Sequence, residues 1–254
     1  MTEKPKFTCL SIIIALLSLC LANASFAVED IFYSHASTIG KEDYRGKYPV
    51  ELLKLALSKV DRPYQLRRIK TPMPQSRAFK LLATGKSIDI VWSMTSVERE
   101  QAYLPIRIPI YKGLIGLRLP LILKRSQSQF DTNMNLPRLT QLVAGQGHDW
   151  PDTIILKASG VEVVTPTTYG ALFGMLEKQR IDYFPRSVVE IWDELDGISN
   201  PDIVVERSLA IYYPTAIYYF VKKESRQLYN DVKNGLQKSI EDGSFEQLFN
   251  SVCV

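Results

Sequence analysis

Short apolar runs alternate along this chain with longer amphipathic stripes, the pattern of strands alternating with helices. Residues 28–34, VEDIFYS, predict a first strand ending in Tyr33 and Ser34. Leu52, Leu53, Ala56, Leu57 and Val60 form one stripe at helical spacing, and Pro49 is placed to start that helix in its first turn. Tyr64 to Ile69 predicts a second strand, and Arg77 to Thr84 a short helix stopped by Gly85. Ile88 to Trp92 predicts a third strand. Strand, helix, strand, helix, strand implies a parallel sheet with right-handed crossovers.

A second unit begins near Leu117, inside a strand-like run from Gly113 to Leu123. Val143 and Ala144 end a strand, and Asp149 followed by Pro151 opens a helix that runs through Lys157 and is closed by Gly160. Glu162 to Thr165 is a further strand. Thr167 or Thr168 caps a helix carrying Leu172, Phe173 and Leu176. Ile181 to Phe184 follows as a strand with Pro185, Arg186 and Ser187 at its carboxyl end, then a helix around Val189 to Leu195. Ile203 to Glu206 and Thr215 to Val221 are strands, the latter where the chain returns to the first unit. The tail is helical, with Leu228, Val232, Leu236 and Ile240 on one side. Gly243 breaks it before Phe245, Leu248, Phe249 and Val252.

The pattern places chemistry at strand ends. The buried run ending at Trp92 is followed by the hydroxyls of Ser93, Thr95 and Ser96 and then by Arg99. Open α/β sheets bind ligands at that end of their strands. Arg99 can hold an anionic group in a bidentate fork, and Arg186 with Ser187 occupies the matching strand end of the second unit. Gly147 and His148 precede a helix start, where exposed N–H groups attract anions. Trp92, Tyr33 and Trp150 can supply flat apolar walls. His35 and His148 do not read as catalytic.

Composition is that of a globular protein, 46% hydrophobic and 23% charged over 254 residues. A net charge of +4, without long runs of one sign, argues against nucleic acid as a partner. Residues 1–27 read as an export signal. Lys4 and Lys6 precede the apolar run Leu10 to Leu21, which is short for a membrane span, and small residues lead to a cut after Ala27. An uncleaved anchor is the alternative. Cys9 and Cys20 leave with that leader, so Cys253 remains as a spare terminal thiol with no internal disulfide.

Three stretches carry a resemblance: GKSIDIVWSMTSVERE (85–100), TYGALFGMLEKQRIDYF (168–184), and YYFVKKES (218–225) followed by VKNGLQKSIEDGSFEQLF (232–249). In this order and spacing the chain resembles the type II periplasmic solute-binding proteins of family 3, the group that includes polar amino-acid binders. The resemblance covers Val28 to Val252. It implies a two-lobed α/β fold with a hinge, residues 28–113 and 213–254 forming lobe 1 and residues 114–212 forming lobe 2. It implies a monomer that closes on a small solute, without cofactor or metal, and presents it to an inner-membrane ABC permease or a sensor.

Two departures shape the ligand expected. Arg99 follows Asp89 by a shorter loop than in that family. Ser187, with Arg186 beside it, stands where the family has an aspartate for the ligand's ammonium. A cation there repels an ammonium, so the expected solute is anionic. Two histidines and one terminal cysteine do not make a zinc site, no G-x-S-x-G elbow is present, and Gly85-Lys86-Ser87 lacks the upstream glycine of a phosphate loop. The resemblance leaves two alternatives: a dehydratase-like enzyme on the same scaffold, or an accessory protein without a tight ligand.

Overall fold

The computed structural model describes residues 27–34, 46–69, 71 and 73–253. The expected leader up to Phe26, His35 and the polar stretch up to Arg45 lie outside the described residues.

The chain opens with strand β1 (Glu29–Tyr33), helix α1 (Lys47–Ser58), strand β2 (Tyr64–Arg68), helix α2 (Gln75–Thr84) and strand β3 (Ile90–Met94). As the apolar stripe requires, α1 buries Leu52, Leu53, Ala56 and Leu57. Gly85 ends α2 in the left-handed region, φ +62°, with its N–H on the Leu82 carbonyl. β1 pairs in parallel with both β2 and β3. A short helix α3 (Val97–Ala102) and strand β4 (Leu104–Ile106) follow.

β3 lies two residues later than the apolar run alone predicts. Asp89 joins β1 instead, its N–H on the Phe32 carbonyl and its carboxylate accepting the Phe32 N–H at 2.8 Å. At the other end the pairing extends to Met94, which is opposite Ile217. Ser93 is therefore inside the strand rather than beyond it.

A 3₁₀ turn over Leu114–Gly116 precedes β5 (Leu117–Leu123), so the strand is shorter than the run from Gly113. Then come α4 (Leu136–Leu139), β6 (Val143–Gly145), α5 (Pro151–Ala158), β7 (Glu162–Val164), α6 (Tyr169–Glu177), β8 (Phe184–Ser187) and α7 (Ile191–Asp196). β8 also sits later than expected. Tyr183 bridges in parallel to Ala144, and the chain then pairs antiparallel to β5, with Arg118 opposite Ser187 and Leu119 opposite Arg186. Arg186 and Ser187 are thus strand residues, both buried. β9 (Ile203–Val205) and β10 (Ile211–Tyr212) complete the sheet on β5.

The chain then returns to the first sheet as β11 (Ile217–Val221), antiparallel to β3 and β4, giving the order β2-β1-β3-β11-β4. The sequence implied parallel pairing for the first unit; β11 departs from it where the chain returns, and every pairing on β5 in the second unit is antiparallel as well. Helices α8 (Arg226–Glu241) and α9 (Ser244–Cys253) close the chain, separated at Gly243, φ +79°. Two lobes result, one around the five-stranded sheet and one around the sheet on β5 with the β6-β7 pair beside it, with chain crossings between Ile106 and Leu117 and between Tyr212 and Ile217. Among the described residues no helix is long and apolar enough to cross a membrane.

Candidate functional site

A cavity of about 90 Å³ lies between the lobes. Its first wall is built by Ser34 at the end of β1, by Gln75 and Phe79 on α2, and by Trp92 and Ser93 on β3. Its second wall is Arg118 on β5, Trp150 and Asp152 at the start of α5, Arg186 on β8, and Glu190. An engineered cavity of roughly 150 Å³ takes up benzene. The space here suits a compact solute.

The second wall is a buried charge network. Arg118 is 2% exposed, with Nη2 2.6 Å from Asp152 Oδ1 and Nη1 3.5 Å from Glu190 Oε2. The Tyr213 hydroxyl donates to the same Asp152 oxygen. Arg118 Nε has no hydrogen-bond partner among the described residues. Arg186 donates from Nε and Nη2 to the two oxygens of Glu194 at 2.6 Å each, and from Nη2 to Glu190 at 3.0 Å. Its guanidinium lies 4.8 Å from the Trp150 ring centre and 5.1 Å from that of Phe184. Burial opposes the charge on Arg186, but Glu190 and Glu194 outweigh it and hold the guanidinium charged, well above its ordinary range.

Behind the first wall, Arg99 donates from Nη1 to Ser93 Oγ and the Met94 carbonyl, and from Nη2 to Gln75 Oε1 and the Asp149 carbonyl. Three of these partners belong to lobe 1 and the last to lobe 2. Burial pushes the Arg99 guanidinium down to about 10, against the pull of Asp149 and Asp152. It remains a cation at neutral pH, on partners that are all uncharged acceptors. Beside the cavity, the Ser34 hydroxyl, 3% exposed, has no hydrogen-bond partner among the described residues.

The sequence candidates divide accordingly. Trp92, Ser93 and Arg186 border the cavity. Arg99 stands behind it as a pin through Ser93 and Gln75. Thr95 donates its hydroxyl to Glu100, and Ser96 caps α3 by accepting the Arg99 N–H. Tyr33 packs on Trp92 with ring centres 5.8 Å apart, supporting the wall from beneath. Gly147 lies under the Trp150 ring, where a Cβ would meet it at 2.4 Å. His148 is exposed. Ser187 is buried with its hydroxyl on the Leu114 carbonyl. Arg186, expected as a free cation for an anion, is instead closed bidentately on Glu194.

Sequence reasoning missed Arg118, Asp152 and Gln75. Arg118 carried a signal: a lone arginine inside the apolar run LRLPLIL is buried only if it is paired. Asp152, in the first turn of α5, carries no such signal, because an acid at a helix start is favoured by the helix dipole alone. Among the described residues no group of three or more histidine, cysteine or acidic side chains is arranged to hold a metal ion.

No family model matches the sequence, and no curated protein matches it. Solved structures do. A periplasmic binding protein of Salmonella typhimurium with high arginine specificity superposes with a TM-score of 0.67 at 15% identity, over 89% of this chain and 100% of that one. A probable amino-acid ABC transporter extracellular-binding protein of Bacillus subtilis gives 0.66 at 19% identity, over 88% and 97%. An ancestral amino-acid-binding protein, a precursor of cyclohexadienyl dehydratase, gives 0.65 at 15% identity, over 89% and 96%. At low identity, then, this chain has the two-lobed α/β fold of the family 3 periplasmic amino-acid-binding proteins.

Proposed function

We propose that this is an exported solute-binding protein of the periplasm, made with a leader at 1–27. Lobe 1 (28–113 and 213–254) and lobe 2 (114–212) close on one small solute. The closed monomer presents that solute to an inner-membrane ABC permease or a sensor. The observation that carries this reading is a pair of unpartnered buried donors, Ser34 Oγ on the first wall and Arg118 Nε on the second. Among the described residues each lacks an acceptor, and leaving a buried donor unpaired costs about 1–3 kcal/mol. A carboxylate-type group between the walls satisfies both, and only when the lobes are closed.

The charge of the solute is a finer matter. Arg99 and Arg186 argued for an anion, but Glu194 cancels Arg186 and four acceptors occupy the Arg99 fork. Glu190 borders the same space. A solute with an acceptor head group and a donor or amine beside it therefore fits better than a bare anion. The repulsion that counted against an amino acid is gone. The structural neighbours that bind arginine favour the same direction.

The test is a thermal-shift screen of the mature protein against small acids, amino acids, amines and sugars. A solute at 100 times its Kd stabilises by about 2.7 kcal/mol, enough for a clear shift at this size. For the solute so found, Arg118→Lys keeps the charge opposite Asp152 but removes the Nε donor. Calorimetry should then read an affinity about 10-fold to 100-fold weaker. Ser34→Ala should weaken it less. Unchanged titrations for both variants would remove these donors from the site. No hit in the screen would favour an accessory protein without a tight ligand. The enzymatic reading rests on Glu190 and Asp152, the acids that border the cavity, and on the dehydratase precursor among the neighbours. It stands only if a bound solute is turned over and Glu190→Gln abolishes that turnover.

A further inference from the structure

Asp149, in the segment between β6 and α5, reaches across the cleft with both of its polar ends. Its carboxylate Oδ2 accepts the backbone N–H of Ser76 at 2.8 Å. Its carbonyl accepts Nη2–H of Arg99 at 2.9 Å. Ser76 is the second residue of α2, so its N–H has no acceptor inside its own helix and lies at the positive end of the helix dipole. That helix has no acidic residue in its first turn, and Pro74 at its cap position makes no side-chain hydrogen bond. The missing cap comes from the other lobe.

We infer that Asp149 is a tethered cap that latches the two lobes shut without any solute. Both contacts are made between protein groups alone, one to each of two separate elements of lobe 1. The inference does not depend on what the cleft binds, only on the two walls being able to part. It reverses the usual order of events for a two-lobed binder. Closure precedes the solute, and exchange of solute requires the latch to break.

The experiment uses the mature chain stripped of solute by unfolding and refolding. Two readouts are taken on the wild type, Asp149→Ala and Asp149→Asn: small-angle X-ray scattering and amide hydrogen exchange at Ser76. Solute-free wild type should scatter as the closed structure does, with the Ser76 amide protected. Asp149→Ala should scatter as a more extended particle, and its Ser76 amide should exchange about 10-fold to 100-fold faster, as expected for loss of a charged acceptor. Asp149→Asn, which keeps an acceptor but no charge, should fall between them. Amides of β3 and β8 should keep their protection in all three, separating the latch from folding. An extended solute-free wild type, or Ser76 exchange indifferent to Asp149→Ala, would overturn the latch. Failure of the solute screen with Ser76 still protected would remove the binding proposal and leave the latch standing.

Discussion

Thr95 follows the strand that carries Trp92 and Ser93, and its hydroxyl goes to Glu100 rather than to the cleft. Arg107 holds the other Glu100 oxygen at 2.6 Å. Burial raises the Glu100 carboxyl, but the hydrogen bonds from Thr95 and Arg107 outweigh it and hold it below its ordinary range. A folded-state value below the unfolded one means stability present above the unfolded value, about 4.3, and lost as the pH falls through the folded one. Glu100→Gln should therefore lower Tm slightly at pH 7, by an amount worth about 1 kcal/mol or less. Melting curves from pH 6 to pH 3 should show wild type and variant converging. Gln146 makes the opposite case. It is fully buried, and neither amide atom has a hydrogen-bond partner among the described residues. Gln146→Met keeps the shape and removes the unpaired groups, so Tm should rise by about 2–4 °C for each kcal/mol regained. A fall in Tm would show that the amide has a partner, such as an ordered water.

At the scale of elements, the periodic stripes were legible and the strand limits were not. The stripes of α1 and α8 bury Leu52, Leu53, Leu228, Val232 and Leu236 as their spacing requires, whereas Ile240, the last member of the α8 stripe, is exposed. Both β3 and β8 slid toward their carboxyl ends because partners set the limits of a strand. β11 draws β3 out to Met94, and β5 draws β8 out to Ser187. That slide moved Ser93 and Arg186 from loop positions into the sheets. No pattern of apolar residues shows which partner will pair. Where α1 crosses α8 the limit is steric. A Cβ on Gly235 would lie 1.9 Å from the Ala56 carbonyl oxygen. Gly→Ala within a helix ordinarily gains about 1 kcal/mol from propensity. Here the backbone contact outweighs that gain, and Gly235→Ala should destabilise by about 1–3 kcal/mol, read as a lower denaturation midpoint with an unchanged slope.

Over the whole molecule, the order of the longer strands and helices was readable, because each apolar run had to be buried against a neighbour, whereas the short α3, β4, α4 and β10 were not. The cleft was readable only in outline. Trp92, Ser93 and Arg186 reached it, whereas its charge balance depends on Arg118, Asp152 and Glu194, far apart in sequence and brought together only by the fold. The strand order β2-β1-β3-β11-β4 has a consequence for how the chain comes to be made. β11 is the tie between β3 and β4, yet it emerges from the ribosome only after the whole second lobe. Until residue 221 is available, β4 has no partner in its sheet and β3 has one open edge. The inserted lobe is contiguous and holds all its own strands once Tyr212 has appeared. The later-synthesised lobe therefore has every strand it needs first, reversing the ordinary N-terminal-first sequence of folding.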